Sequence, residues 1–135
     1  MKIALLALLL LLPAKDTKEK NKEDYTFRLE MHNGLPVMFV QTSKAFGCSN
    51  YGIYLRQGWS RDTLTVNILG VDSRVNCDGV PERARGTLEI RGMRERQFIL
   101  RILTEKKANL FSVETDEDDV TVTPILFDFI RAVTN

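Results

Sequence analysis

The sequence predicts an all-β domain: an antiparallel β-sandwich of about seven to nine strands, with a small β-barrel as the alternative. Three observations predict it. Apolar and polar residues alternate with period two through most of the chain. Turn signals recur every 8 to 12 residues, the rhythm of sandwiches and small barrels. Outside the N-terminus, only residues 124–134 carry helical spacing.

The chain has 135 residues, 44% of them hydrophobic and 27% charged, which fits one globular domain. Its first 14 residues stand apart. Lys2 is followed by an unbroken apolar run, residues 3–12, and then by Pro13 and Ala14. This is the layout of a secretory signal peptide, with cleavage expected after Ala14. As a helix the run spans roughly 15 Å, about half a bilayer core, so no transmembrane segment is expected after cleavage. A secreted or periplasmic location follows. Residues 15–24, KDTKEKNKED, contain no apolar side chain and are expected to form a disordered charged linker. Residues 25–135 are the expected domain.

Within it, Tyr25, Phe27, Leu29 and Met31 fall on one face of a first strand, and Asn33-Gly34 supplies a hairpin turn. Residues 36–42 return. A third strand, residues 51–57, places Ile53 and Leu55 inward. Residues 58–61, with Trp59, are expected to turn. Leu64, Val66 and Ile68 alternate inward along residues 62–69, which Gly70 should end. An irregular loop, residues 71–83, contains Cys77. Leu88 and Ile90 mark the next strand; Phe98, Leu100 and Ile102 mark another. Residues 110–115 and 120–123 flank an acidic turn. Residues 124–134 fit helix or strand, and the all-β context favours strand. About eight strands result.

Removing the leader takes away Lys2 alone, leaving 18 basic residues against 18 acidic ones. A nucleic-acid-binding domain needs a net positive face, so neutrality together with export argues against nucleic acid as a partner.

The two cysteines, Cys48 and Cys77, are expected to form a disulfide in an exported chain. The bridge closes a loop of about 30 residues, for which chain entropy gives stabilisation on the order of 3–4 kcal/mol. Both cysteines fall in predicted loops, so the bridge should fasten loop to loop. No C-x-x-C pair or neighbouring base marks either thiol as catalytic. His32 is the only histidine, and no Gly-x-Ser-x-Gly elbow accompanies it. No catalytic residue, cofactor or metal is therefore expected. Asp116, Asp118 and Asp119 are the nearest thing to a metal set, in a run that lacks the glycine and distal glutamate of an EF-hand loop.

The candidate binding surface gathers Trp59, Tyr51, Tyr54, Arg61, Arg91, Arg94 and Arg96. Aromatics near a turn offer a platform for a sugar or protein, and the arginines offer a basic edge for an acidic partner or surface polysaccharide. Burial of Trp59 near the disulfide is the plainer reading of that residue. Arg91, two residues past Glu89, can share its outer face, and cross-strand ion pairs and edge protection are the plainer readings of the arginines.

The segment RGTLEIRGMRERQFILRIL from Arg85 resembles the late hairpin of secreted immunoglobulin-like and transthyretin-like domains, with Phe98 in place of their strand-centring aromatic. Their usual glycine before that strand is replaced by Arg94-Glu95-Arg96. The resemblance implies a sandwich and no active site. HNGLPVMFV at residues 32–40 is similar to the opening hairpin of pitrilysin-type zinc peptidases. Their His-x-x-Glu-His motif is absent and one histidine cannot build it, so that reading is set aside. The expected function is a non-enzymatic exported binding or structural module with an unidentified protein or polysaccharide partner. The alternative is an inhibitor or accessory subunit presenting residues 58–61 or 71–83 to a secreted enzyme.

Overall fold

The structure, a computed structural model, describes residues 24–105, 107–126 and 130–132. The expected signal peptide and nearly all of the expected linker lie outside these residues. Nine strands and no helix occur among the described residues: β1 (Tyr25–His32), β2 (Leu35–Phe46), β3 (Gly52–Ser60), β4 (Thr63–Asp72), β5 (Glu82–Glu89), β6 (Gln97–Leu103), β7 (Ala108–Thr115), β8 (Val120–Leu126) and β9 (Ile130–Ala132). No helix among them is long and apolar enough to cross a membrane.

All nine belong to one sheet, in the order β8-β7-β6-β4-β3-β5-β2-β1-β9. The β1–β2, β3–β4, β6–β7 and β7–β8 pairs are antiparallel hairpins, while β4–β6, β3–β5 and β1–β9 are parallel. The sheet rolls until its ends approach, with β8 beside β1. This nearly closed single sheet fits the small barrel that the sequence held as the alternative to a two-sheet sandwich.

Alternation puts the core inside the roll. Phe27 and Leu29, Met38 and Val40, Leu64, Val66 and Ile68, Phe98, Leu100 and Ile102, and Phe111 and Val113 are buried together. Each of these pairs or trios repeats at i+2, so one face of β1, β2, β4, β6 and β7 is apolar. The Asn33-Gly34 turn adopts positive φ at both residues (53° and 81°), which matches the right-handed twist of the flanking strands.

Several boundaries differ from expectation: β2 runs on to Phe46 instead of ending at residue 42, the irregular loop shrinks to residues 73–81, and two differences turn on glycines. Gly70 does not end β4. At φ 133° it sits in a bulge: Tyr54 opposes Gly70, but Leu55 opposes Ile68, so Leu69 is the extra residue and points to solvent. The bulge absorbs the glycine and the strand runs on to Asp72. Residues 58–60 are not a turn. β3 continues through Trp59 to Ser60, which pairs with Thr63, and the turn is Arg61-Asp62 with Arg61 at φ 57°. The alternation Ile53, Leu55, Gln57, Trp59 carries the strand past Gly58.

Candidate functional site

The third strand splits the sequence-derived surface in two. Tyr51 and Tyr54 lie at its start and Trp59 at its end. Eight residues of extended chain separate Tyr51 from Trp59, about 26 Å.

At the start of β3 lies the disulfide. Cys48, buried, and Cys77, in the wholly exposed loop of residues 73–81, are bonded, with Cα atoms 5.2 Å apart. The bridge joins loop to loop, as expected. Polar contacts reinforce it. The Ser49 N–H donates to Asp78 Oδ1 at 2.9 Å and the Ser49 hydroxyl donates to Asp78 Oδ2. Asn50 donates its amide to the Asn76 carbonyl at 2.6 Å, and the Val80 N–H donates to Asp78 Oδ1 at 3.0 Å. These bonds, those from Ser49 first, hold the Asp78 carboxyl below the ordinary range. Tyr51 packs on Phe46, and the Arg74 guanidinium lies 5.3 Å from the Tyr54 ring centre. Both tyrosines are therefore engaged in holding the loops.

At the other end, residues 89–97 cross the tip of the β3–β4 hairpin. Gln57 acts as a surrogate ladder: its amide donates to the Glu89 carbonyl at 2.7 Å and accepts from the Arg91 N–H at 3.1 Å. The Trp59 indole N–H donates to the Arg91 carbonyl at 2.5 Å, and the ring meets Phe98 edge to face at 5.2 Å. Gly92, at φ 81°, lies directly on the indole, where a Cβ would come within 3.2 Å of Cδ1 and Nε1.

Trp59 thus stands as a fixed, half-buried wall between two grooves. One, of about 360 Å³, is lined by Arg61, Asp62, Arg94, Glu95 and Phe98. The other, more open, of about 640 Å³, is lined by Gln57, Leu88, Glu89 and Arg91. Arg91 pairs with Glu89 at 3.6 Å, as their expected place on a shared face allows. Arg61 and Arg94 are exposed and form no ion pair with a described residue. Arg96 is not at this site. It reaches Asp116, just past the end of the neighbouring β7, at 3.5 Å, while its carbonyl accepts from the Thr115 N–H and hydroxyl. Asp116, Asp118 and Asp119 form the tip of the β7–β8 hairpin, closed by Asp116 N–H to the Asp119 carbonyl at 2.8 Å. Among the described residues no three His, Cys, Asp or Glu side chains converge as metal ligands.

A second concavity was not singled out from the sequence. On the outer face of β1, β2 and β5, a hollow of about 320 Å³ is lined by Thr26, Arg28, Phe39, Gln41, Arg85 and Thr87. The registers Arg28↔Phe39↔Thr87 and Thr26↔Gln41↔Arg85 stack these side chains in two adjacent rows. The signal was present as the polar positions of three alternating strands, but only the pairing order places β5 next to β2. His32 sits at the rim of the same face. Glu30 binds both it, at 3.0 Å, and Arg28, at 2.6 Å, and these bonds, Arg28 first, lower the Glu30 pKa.

Fold and site together define a small, disulfide-stapled, all-β module built on one nearly closed sheet. The chain matches no known protein family, no curated protein and no solved structure.

Proposed function

We propose that the protein is an exported, non-enzymatic binding module whose ligand surface is the Trp59 end of the barrel. One observation carries this reading: the indole is locked by its bond to the Arg91 carbonyl and by its contact with Phe98, with grooves on both sides. A rigid aromatic costs little entropy to engage, and such residues dominate interface energies. The nearby charges balance, Arg61 and Arg94 against Asp62 and Glu95, which suits a mixed protein or saccharide surface over a uniformly charged polymer. Neither cysteine is free to act as a nucleophile, because both are held in the disulfide.

Differential capture tests the proposal. Wild-type protein and an Arg61→Glu/Arg94→Glu variant, both changes at exposed positions, are used to recover partners from the native envelope and secreted fractions. Recovery by the wild type and loss in the variant are expected. Equal recovery by both would remove the Trp59 end from consideration.

A second reading is favoured by the loop of residues 73–81. It is held at Cys77, Asp78 and Asn76 while Val75 and Val80 stay exposed. A pre-organised loop with apolar tips is how an inhibitor or accessory subunit engages an enzyme. Val75→Asp/Val80→Asp in the same capture experiment separates this reading from the first.

A further inference from the structure

We infer that the hollow on β1, β2 and β5 is a second site, distinct from the Trp59 end, and that it takes a carboxylate-bearing saccharide such as an oligouronate. The two rows bring together two guanidinium groups, two threonine hydroxyls, one carboxamide and one aromatic ring. Among the described residues, Arg28 and Arg85 are the only charged ones lining it. Its volume, about 320 Å³, lies at the lower end of the range of small-molecule pockets, roughly 300–1,000 Å³.

Each component points the same way. Arg28 lies over Phe39 at 4.4 Å and gives its Nε to Glu30, so the guanidinium is oriented while its η nitrogens are left for a second acceptor. Arg85 touches Glu82 only at 3.5 Å, with its side chain mostly in solvent. The backbone positions of the two arginines are two strands and two residues apart, about 12 Å on the diagonal, at opposite corners of the hollow. That spacing suits two carboxylates on successive units better than one compact anion. Gln41 lies on the strand between them and Thr26 and Thr87 occupy the other two corners; the side chains of all three hydrogen-bond no described residue. Hydroxyl and amide groups beside an aromatic edge match the hydroxyls and apolar ring face of a pyranose, while paired N–H groups of arginine match a carboxylate.

A peptide fits less well. Along residues 37–41, β2 is paired on one side with β1 and on the other with β5, so no ladder is open for strand addition. Recognition here must come from side chains.

The test is a titration of the ¹⁵N-labelled full chain with tetragalacturonate at low salt, followed by amide shifts. Shifts confined to Gln41, Arg85, Thr87 and their neighbours are expected, with the Trp59 indole N–H unmoved. Affinity should fall about tenfold or more in Arg28→Gln/Arg85→Gln, and by a similar factor for the carboxyl-reduced, neutral tetramer. Arg85→Lys, which keeps charge without the planar fork, should lose part of the affinity. The inference is overturned if the shifts fall at Trp59, if none appear, or if the double variant binds as the wild type does. Binding of a tetra-aspartate peptide as tight as that of the saccharide would overturn the ligand class.

Discussion

The rings of Phe27 and Phe111 meet edge to face, 4.9 Å between centres, although their strands are six places apart in the sheet. In a flat sheet six strand spacings would hold them about 29 Å apart. Contact between them is the direct consequence of rolling β1 toward β7 across the interior. Both side chains are essentially inaccessible to solvent.

Phe111→Ala should destabilise the protein by about 3–5 kcal/mol, because it leaves a cavity where the two ends of the sheet meet. Phe27→Ala should cost a similar amount. A double-mutant cycle by denaturant unfolding should find a coupling of about 0.5–1.5 kcal/mol. Additive losses would mean that the rings do not touch.

Two glycines give opposite expectations. A Cβ on Gly86 would stand 3.0 Å from both the Ile53 carbonyl oxygen and its Cβ, where β5 and β3 approach most closely. Gly86→Ala should cost about 1–3 kcal/mol through overpacking. Nothing lies within 4 Å of the corresponding point on Gly58, which has ordinary φ. Gly58→Ala should be neutral or stabilise by up to about 1 kcal/mol by restricting the unfolded chain. Paired denaturation curves check both.

The alternation of Leu64, Val66, Ile68 and of Phe98, Leu100, Ile102 was fully legible, because period two and a buried face are local properties. The Asn33-Gly34 turn was equally so. Gly58 and Gly70 misled for one reason: a glycine reads as punctuation, whereas here one continues a strand and the other sits in a bulge. Strand order was out of reach. That β6 lies beside β4, and β5 beside β2, is decided by which faces close the roll, and no local pattern records it. The site was half legible. Trp59, Arg61, Arg91 and Arg94 do converge, but Tyr51 and Tyr54 lie at the far end of the same strand, and Arg96 turns to Asp116.

Removing the disulfide with Cys48→Ser/Cys77→Ser should cost about 3–4 kcal/mol by releasing loop entropy in the unfolded chain. Proteolysis should then cut first within residues 73–81, which are exposed throughout. Thiol titration of the denatured, non-reduced wild type should find no free thiol.

Asp78 should give that loop a pH dependence. Its folded pKa is depressed by hydrogen bonds from Ser49 and Val80, so its contribution is present above the ordinary value of 3.8 and is lost as pH falls through the depressed folded value. Protection factors at the Ser49 and Val80 amides, corrected for the intrinsic pH dependence of exchange, should fall in that acid window. In Asp78→Asn the exchange should already be faster at neutral pH and show no such step.

Trp59 is the single tryptophan, so its emission reports on one place alone. The most direct measurement is that emission, together with acrylamide quenching, during titration with a captured partner. A spectral shift and reduced quenching that saturate with binding are the predicted result. Saturable binding that leaves both unchanged would contradict the assignment of the Trp59 end as the ligand surface.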